Sequence, residues 1–174
     1  MEIESIAIEL NRLSEAVSLG LFDEAMNGVD ILYQQINEDT ERDALFFTIM
    51  SNIASIFIDV GHMKPCVNSA QKGLDILNEH KNEVIEQIGE DAYFYNLSNA
   101  KSSLISEKNP FDYTFSTIEQ LIEIKTDLWK AIKSFSNKNS GKIEPTYIVN
   151  LGNSLKQQFR IAEAIECYDL VNKF

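Results

Sequence analysis

The chain has 174 residues, 44% of them hydrophobic and 24% charged, which are values of a folded globular domain rather than of a disordered tail. With 15 basic against 27 acidic residues the formal net charge is −12, and this excludes a general nucleic-acid binder, because phosphate attraction needs clustered Lys and Arg. No apolar run approaches the roughly 20 residues of a membrane span, and the acidic, amphipathic start MEIESIAIELNRL is neither a secretory signal nor an Arg-rich transit peptide, so the cytoplasm is the expected location.

Apolar residues recur near every 3.6 positions almost throughout, and no convincing period-two stretch occurs, so the fold class is all-α. The first predicted helix uses Ile3, Ile6, Leu10, Leu13 and Val17 and stops at Gly20. The second uses Phe22, Ala25, Met26, Val29, Leu32 and Ile36. A second pair follows in FTIMSNIASIFIDVGHMKPCVNSAQKGLDIL and turns at Gly61. Pro65 is tolerated there because it falls in the first turn of the later helix, where its missing N–H costs nothing.

A third pair opens with DAYFYNLSNAKSSL. Asn109-Pro110 breaks the chain, and the helical pattern resumes near Thr114 with Ile118, Leu121, Ile122, Leu128, Ile132 and Phe135 on its apolar face. The segment NKNSGKIEP is the most loop-like in the sequence. The last pair, PTYIVNLGNSLKQQFRIAEAIECYDLV, is the clearest. Small Gly152 and Ala164 let two antiparallel helices approach closely, while Leu151, Leu155, Ile161, Ile165 and Tyr168 are expected to fill the seam.

This last pair resembles the tetratricopeptide repeat, whose pattern is W-x2-L-G-x2-Y followed by A-x3-F. Ile148 stands in the Trp place, Leu151-Gly152 match Leu-Gly, Leu155 replaces Tyr, and Ala164 with Tyr168 supply A-x3-F. Earlier pairs follow less closely. Arg12-Leu13, Ile53-Ala54 and Leu97-Ser98 occupy the Leu-Gly places, and Cys66 with Ala70 takes the A-x3-F places. The resemblance implies a right-handed α-solenoid of about eight helices. It implies a single repeat domain over 1–174, with hairpins near 2–37, 40–79, 90–137 and 144–173. Phe174 ends the last repeat before its usual Pro, so the sequence is expected either to be cut from a longer protein or to use its bare C-terminal hairpin for self-association.

In such a solenoid the first helix of each pair lines the concave groove. Asn52, Asn96 and Asn150 each stand just before the Leu-type anchor, and Asn99 and Asn153 stand two residues after it. An amide carries both donor and acceptor, so a row of them can hold a peptide backbone without reading its side chains. The row is similar to the asparagine ladder of O-linked N-acetylglucosamine transferases. The resemblance thus implies a peptide-binding groove of Asn52, Asn96, Asn99, Asn150 and Asn153, flanked by Tyr95, Lys156 and Gln157. Its partner is expected to be a protein or peptide, and the chain an adaptor or sensor module. The Lys/Asn/Arg set that clamps a C-terminal carboxylate in chaperone-binding relatives is incomplete, with Lys101 and Lys156 the nearby candidates.

Nothing points to catalysis, a metal or a cofactor. No glycine-rich phosphate loop or Gly-x-Ser-x-Gly setting occurs. Cys66 and Cys167 lie on apolar faces outside any CxxC spacing and read as reduced, buried thiols, and His62 and His80 lack metal-ligand spacing. Trp129 reads as a core or inter-repeat residue. Residues 92–168 are also similar to repeat segments that precede HEPN-type nuclease domains in bacterial defence and toxin proteins, which implies an alternative role as the regulatory part of such an effector. The Arg-x4-His signature is missing, since Val17, Phe47 and Ile165 stand five residues after Arg12, Arg42 and Arg160.

Charge is uneven. Glu2, Glu4, Glu9, Glu15, Asp23, Glu24, Asp30, Glu38, Asp39, Glu41 and Asp43 crowd the first 45 residues against Arg12 and Arg42, whereas Lys125, Lys130, Lys133, Lys138 and Lys142 face only Asp127. Solvated faces explain most of this. An acidic groove that steers a basic partner is the sharper reading.

Overall fold

The computed structural model describes residues 3–39, 44–61, 63–105 and 108–173, so the expectations that fall on Glu2, Glu41, Arg42, Asp43, His62 and Phe174 lie outside the described residues. Among the described residues every regular element is helical and no strand occurs. The helices are α1 (Ile3–Ser18), α2 (Phe22–Asp39), α3 (Ala44–Asp59), α4 (Met63–Ile88), α5 (Glu90–Leu104), α6 (Phe115–Lys138), α7 (Pro145–Gln157) and α8 (Ile161–Val171), with a short 3₁₀ turn at Pro110–Asp112. None of them is long and apolar enough to cross a membrane.

The chain gathers into two compact units, Met1–Gln87 with Ser103–Glu107, and Ile88–Ser102 with Lys108–Phe174. In the first, α1 packs on α2 and α3 rests on both. Ile6, Leu10 and Leu13 of α1 meet Ala25, Val29, Leu32 and Ile36 of α2 in the core, each at helical spacing. Helix α3 is apolar on most of its circumference, and Phe46, Ile49, Met50, Ile53, Ala54, Ile56 and Phe57 are all buried. Helix α4 continues past the expected end near residue 79, with its helical geometry interrupted at His80 (φ −125°, ψ 21°).

The second unit holds α5 to α8, and α7 packs against both α6 and α8. Local chemistry fixes the helix starts. Asn109 accepts from the Phe111 N–H at the 3₁₀ turn, Thr114 caps α6 by accepting from the Thr117 N–H, and Glu144 caps α7 ahead of Pro145. The segment expected as a loop turns at Ser140 (φ 54°) and Gly141 (φ 84°).

The close approach expected at Gly152 is present. A Cβ there would lie 2.6 Å from Cε1 of Tyr168, so the ring of α8 sits directly on the glycine of α7. The places equivalent to Ala164 are filled by small buried residues in three of the pairs, namely Ala25, Cys66 and Ala164. In the first pair the close approach is inverted, because Gly28 of α2 lies under the Leu13 side chain of α1.

Some expected core residues lie outside the core. Ile161 and Ile165, assigned to the seam, are about half exposed, and so are Ile118 and Ile122 of α6; Ala164 is the buried residue of α8. Trp129, expected inside, is 54% exposed. The reason is geometric. A two-helix pair buries a stripe only as wide as the neighbour it meets, and these residues lie on the flanks of their helices, away from the Leu121–Ile124–Leu128 and Ile148–Leu151–Leu155 rows that are buried.

Replacing Gly152 by Ala should cost about 1–3 kcal/mol, because the added carbon must displace the Tyr168 ring or spread the helices. Urea unfolding followed by circular dichroism measures it. Combining the change with Tyr168→Ala should recover part of the loss relative to the sum of the single changes, and strict additivity would refute the contact as the cause.

Candidate functional site

In three of the helix pairs, α1–α2, α3–α4 and α7–α8, a left-handed residue marks the turn between the helices. Gly20 (φ 75°), Gly61 (φ 77°) and Phe159 (φ 59°) all adopt the left-handed conformation. They stand eight residues after Arg12, Ile53 and Leu151. Arg12 therefore occupies the anchor place of the first pair, and the residue before it, Asn11, is the counterpart of Asn52, Asn96 and Asn150. The apolar pattern alone does not reveal Asn11, because a charged residue stands where the apolar anchor belongs. The glycine spacing is the signal that finds it.

In the first unit α1 and α3 lie side by side, and a recess of about 190 Å³ opens over them. Asn11 and Asn52 line it together with Ile6, Leu10, Thr48 and Ile49. Both asparagines are exposed, while the Thr48 hydroxyl is buried with no hydrogen-bond partner among the described residues. A buried hydroxyl left unpaired costs about 1–3 kcal/mol, so an acceptor brought into this recess would recover that energy. The site thus offers two amides and one orphan donor over an apolar floor.

In the second unit α5 and α7 carry the corresponding residues. The Asn150 amide donates to the Asn99 side-chain oxygen at 2.9 Å and to the Tyr95 hydroxyl at 3.1 Å. Both amide hydrogens of Asn150 are thereby engaged, so what it offers a ligand is its carbonyl oxygen. Tyr95 stacks on Tyr147 with ring centroids 4.7 Å apart, and Tyr147 makes an edge contact with Phe135. Asn96 is half-buried on the same helix as Tyr95. Asn153 is engaged elsewhere, its carbonyl oxygen accepting from the Tyr168 hydroxyl at 2.8 Å. Lys156 is exposed on the last turn of α7.

Lys101, a candidate for clamping a carboxylate, is committed internally. Its ammonium donates to Asp127 at 2.7 Å and to Glu123 at 3.2 Å, and Lys130 approaches the other Asp127 oxygen at 3.2 Å. Burial alone would lower the Lys101 pKa, but the hydrogen bond and charge of Asp127, with those of Glu123, raise it. Asp127 is 4% exposed, so this pair is held where charge is expensive to leave alone.

A second polar knot anchors the start of α5. Lys138 donates to Asp91 at 2.6 Å and the Tyr147 hydroxyl donates to its other oxygen at 3.3 Å, while Ser134 donates to Glu90 at 2.9 Å. Burial, then the charge of Asp91, pushes the Tyr147 hydroxyl up. For Asp91, burial would raise the pKa, yet the Lys138 hydrogen bond and charge, its own backbone N–H and Tyr147 together lower it. Acids in the first turn also suit the helix dipole. The knot holds the tyrosine pair, and through Tyr95 it holds the amide cluster.

No family model matches the sequence, and no curated protein matches it. Among solved structures the chain is similar to BtubC (BKLC) from P. vanneervenii, at 16% identity over 98% of this chain and 78% of that one, with a TM-score of 0.41. A likeness that loose carries no weight for function.

Asp91→Asn should lower stability at neutral pH. Because the folded pKa of Asp91 is depressed, its contribution is complete above the unfolded value of about 3.9 and disappears as pH falls through the folded value. Urea midpoints of the two proteins should converge on acidification below about pH 4. A difference that stays constant across that range would mean that ionisation of Asp91 is irrelevant.

Proposed function

We propose that the chain is a tetratricopeptide-like repeat module, its helix pairs stacked as a right-handed solenoid, which holds an extended peptide or helix of a protein partner against its first helices. It acts as a non-catalytic adaptor or sensor in the cytoplasm. The observation that carries the reading is the shared register of Asn11, Asn52 and Asn150, each nine residues before a left-handed turn, with Asn96 matching them in sequence pattern.

The physical logic is that of backbone recognition. A peptide laid along these helices presents an N–H and a C=O at regular intervals, and amides are the side chains that can answer either. The unpaired Thr48 hydroxyl in the recess of Asn11 and Asn52 supports the same reading, since it lacks only an acceptor. Apolar contacts with Ile6, Leu10 and Ile49 supply affinity, and the amides supply direction.

Panning a displayed library of random linear peptides against the whole chain supplies ligands for the test. Changing Asn11 and Asn52 together to Ala should weaken the selected peptides by about tenfold, the loss of one or two hydrogen bonds of roughly 1 kcal/mol each, with helicity unchanged. Titration calorimetry reads the effect. Peptides that bind the double variant as tightly as the parent would remove the asparagine row from the account.

A further inference from the structure

The outer side of α6 presents a different kind of surface. Trp129, the single tryptophan of the chain, is 54% exposed there and forms one wall of an apolar cleft of about 480 Å³. Ile132 and Ile143 line the floor, Asn137 closes one end, and Lys130 and Lys133 stand in the lining. Among the described residues no acidic one lines it, although the chain holds 27 of them.

The cations around this cleft are unevenly committed. Lys138 is paired with Asp91, and Lys130 is shared between Asp127 and the face of Phe94, 4.8 Å from the ring centre. Asp127, the one acid between residues 125 and 142, is itself neutralised by Lys101. Lys133 and Lys142 are exposed, and neither ammonium group has a hydrogen bond or ion pair to another described residue. The lining of the cleft is therefore cationic, while the recess on the other side of Trp129 holds Lys125 and Arg160 together with Glu163 and Glu166. At physiological salt, fields are screened beyond about 8 Å, so a ligand at the cleft feels these lysines rather than the net charge.

We infer that the α6 cleft binds an acidic peptide segment of a partner protein, one bulky apolar side chain seated against Trp129 with a flanking carboxylate on Lys133. The chemistry of both halves comes from the surface itself. An indole wall with two isoleucines rewards burial of an aromatic or branched side chain, and exposed aromatics of this kind are the anchors that dominate binding energy. The unpaired Lys133 ammonium in the lining selects a carboxylate beside that anchor and gives the encounter its salt dependence. This site is separate from the asparagine groove and does not depend on it.

The sole tryptophan makes the test direct, since its emission reports on its immediate surroundings, the cleft and the neighbouring recess that it lines with Leu151 and Cys167. The probe is an end-capped synthetic peptide with a central Phe flanked on both sides by Glu. Titration into the whole chain should shift the Trp129 emission to shorter wavelength. Control peptides with Ala for Phe or Gln for Glu should bind markedly more weakly. By anisotropy of labelled peptide, Lys133→Glu should weaken binding about fivefold, the scale of one exposed ion pair, and Trp129→Ala should abolish it. The Asn11/Asn52 double Ala variant should bind this probe unchanged.

Four results would each overturn the inference. They are equal affinity for the Gln control, binding without a change in Trp129 emission, loss of binding in the asparagine variant, and a dimer by sedimentation in the absence of peptide that Trp129→Ala dissociates. Trp129 and Lys133 are exposed, so both variants should retain their helicity, which circular dichroism checks.

Discussion

Everything in these units depends on how closely the two helices of a pair can approach. An amphipathic helix hides one stripe, and it hides that stripe only if its partner comes within side-chain reach. Here the approach is set by single positions. The Tyr168 ring rests on Gly152, the Leu13 side chain rests on Gly28, and buried Ala25 and Ala164 keep the facing helices small in the α1–α2 and α7–α8 pairs. The same solution appears with its halves exchanged, the glycine on the later helix in the first pair and on the earlier helix in the last. What is specified is one large and one small residue across the seam, not which helix supplies which.

That constraint explains why functional side chains keep their register while the rest of the sequence drifts. Once the seam and the turn are fixed, the residue before the anchor keeps the same place on every first helix. Gly20, Gly61 and Phe159 mark that turn with the same left-handed backbone. A phenylalanine there sustains a conformation that costs a non-glycine residue about 1–2 kcal/mol. The chain tolerates this because the α7–α8 contact is tightly made, with Tyr168 on Gly152 and its hydroxyl bound to Asn153.

Much of the helical layout is legible in the sequence, because spacing of 3.6 is a property of burial and survives substitution. The break at Asn109-Pro110, the restart at Thr114 and the close approach at Gly152 can each be read from residues whose backbone preferences are strong. Which apolar residues are covered cannot. Ile161, Ile165 and Trp129 sit in patterns identical to buried ones, and only the width of the neighbouring helix decides that they stay exposed. Asn11 is obscured for another reason. Its anchor is Arg12, which pairs with Glu9 at 2.7 Å and Glu24 at 2.6 Å instead of entering the core, so an ion pair hides the motif. Polar networks are equally opaque in one dimension. Asn150 and Asn99 lie 51 residues apart in the chain, and that their amides satisfy each other is decided only by the pairing of α5 with α7.

The charge distribution separates what stabilises this chain from what it shows to others. The buried carboxylate of Asp127 is answered by two lysines, and Asp91 is answered by a third together with a tyrosine hydroxyl. Those cations are consumed in the fold, and the cost of desolvating them is what makes the pairs indispensable rather than stabilising in themselves. Lys133 on α6 and Lys142 in the turn after it are left over from these pairs, whereas acids crowd the first helices. A partner approaching from a distance meets a negative molecule. At contact range the proposed asparagine surface is uncharged and the proposed α6 cleft is cationic, and screening would let the two act independently. Two chemically distinct faces on one helical scaffold result from that separation, because neither requires the other's charge, side chains or backbone to be in place.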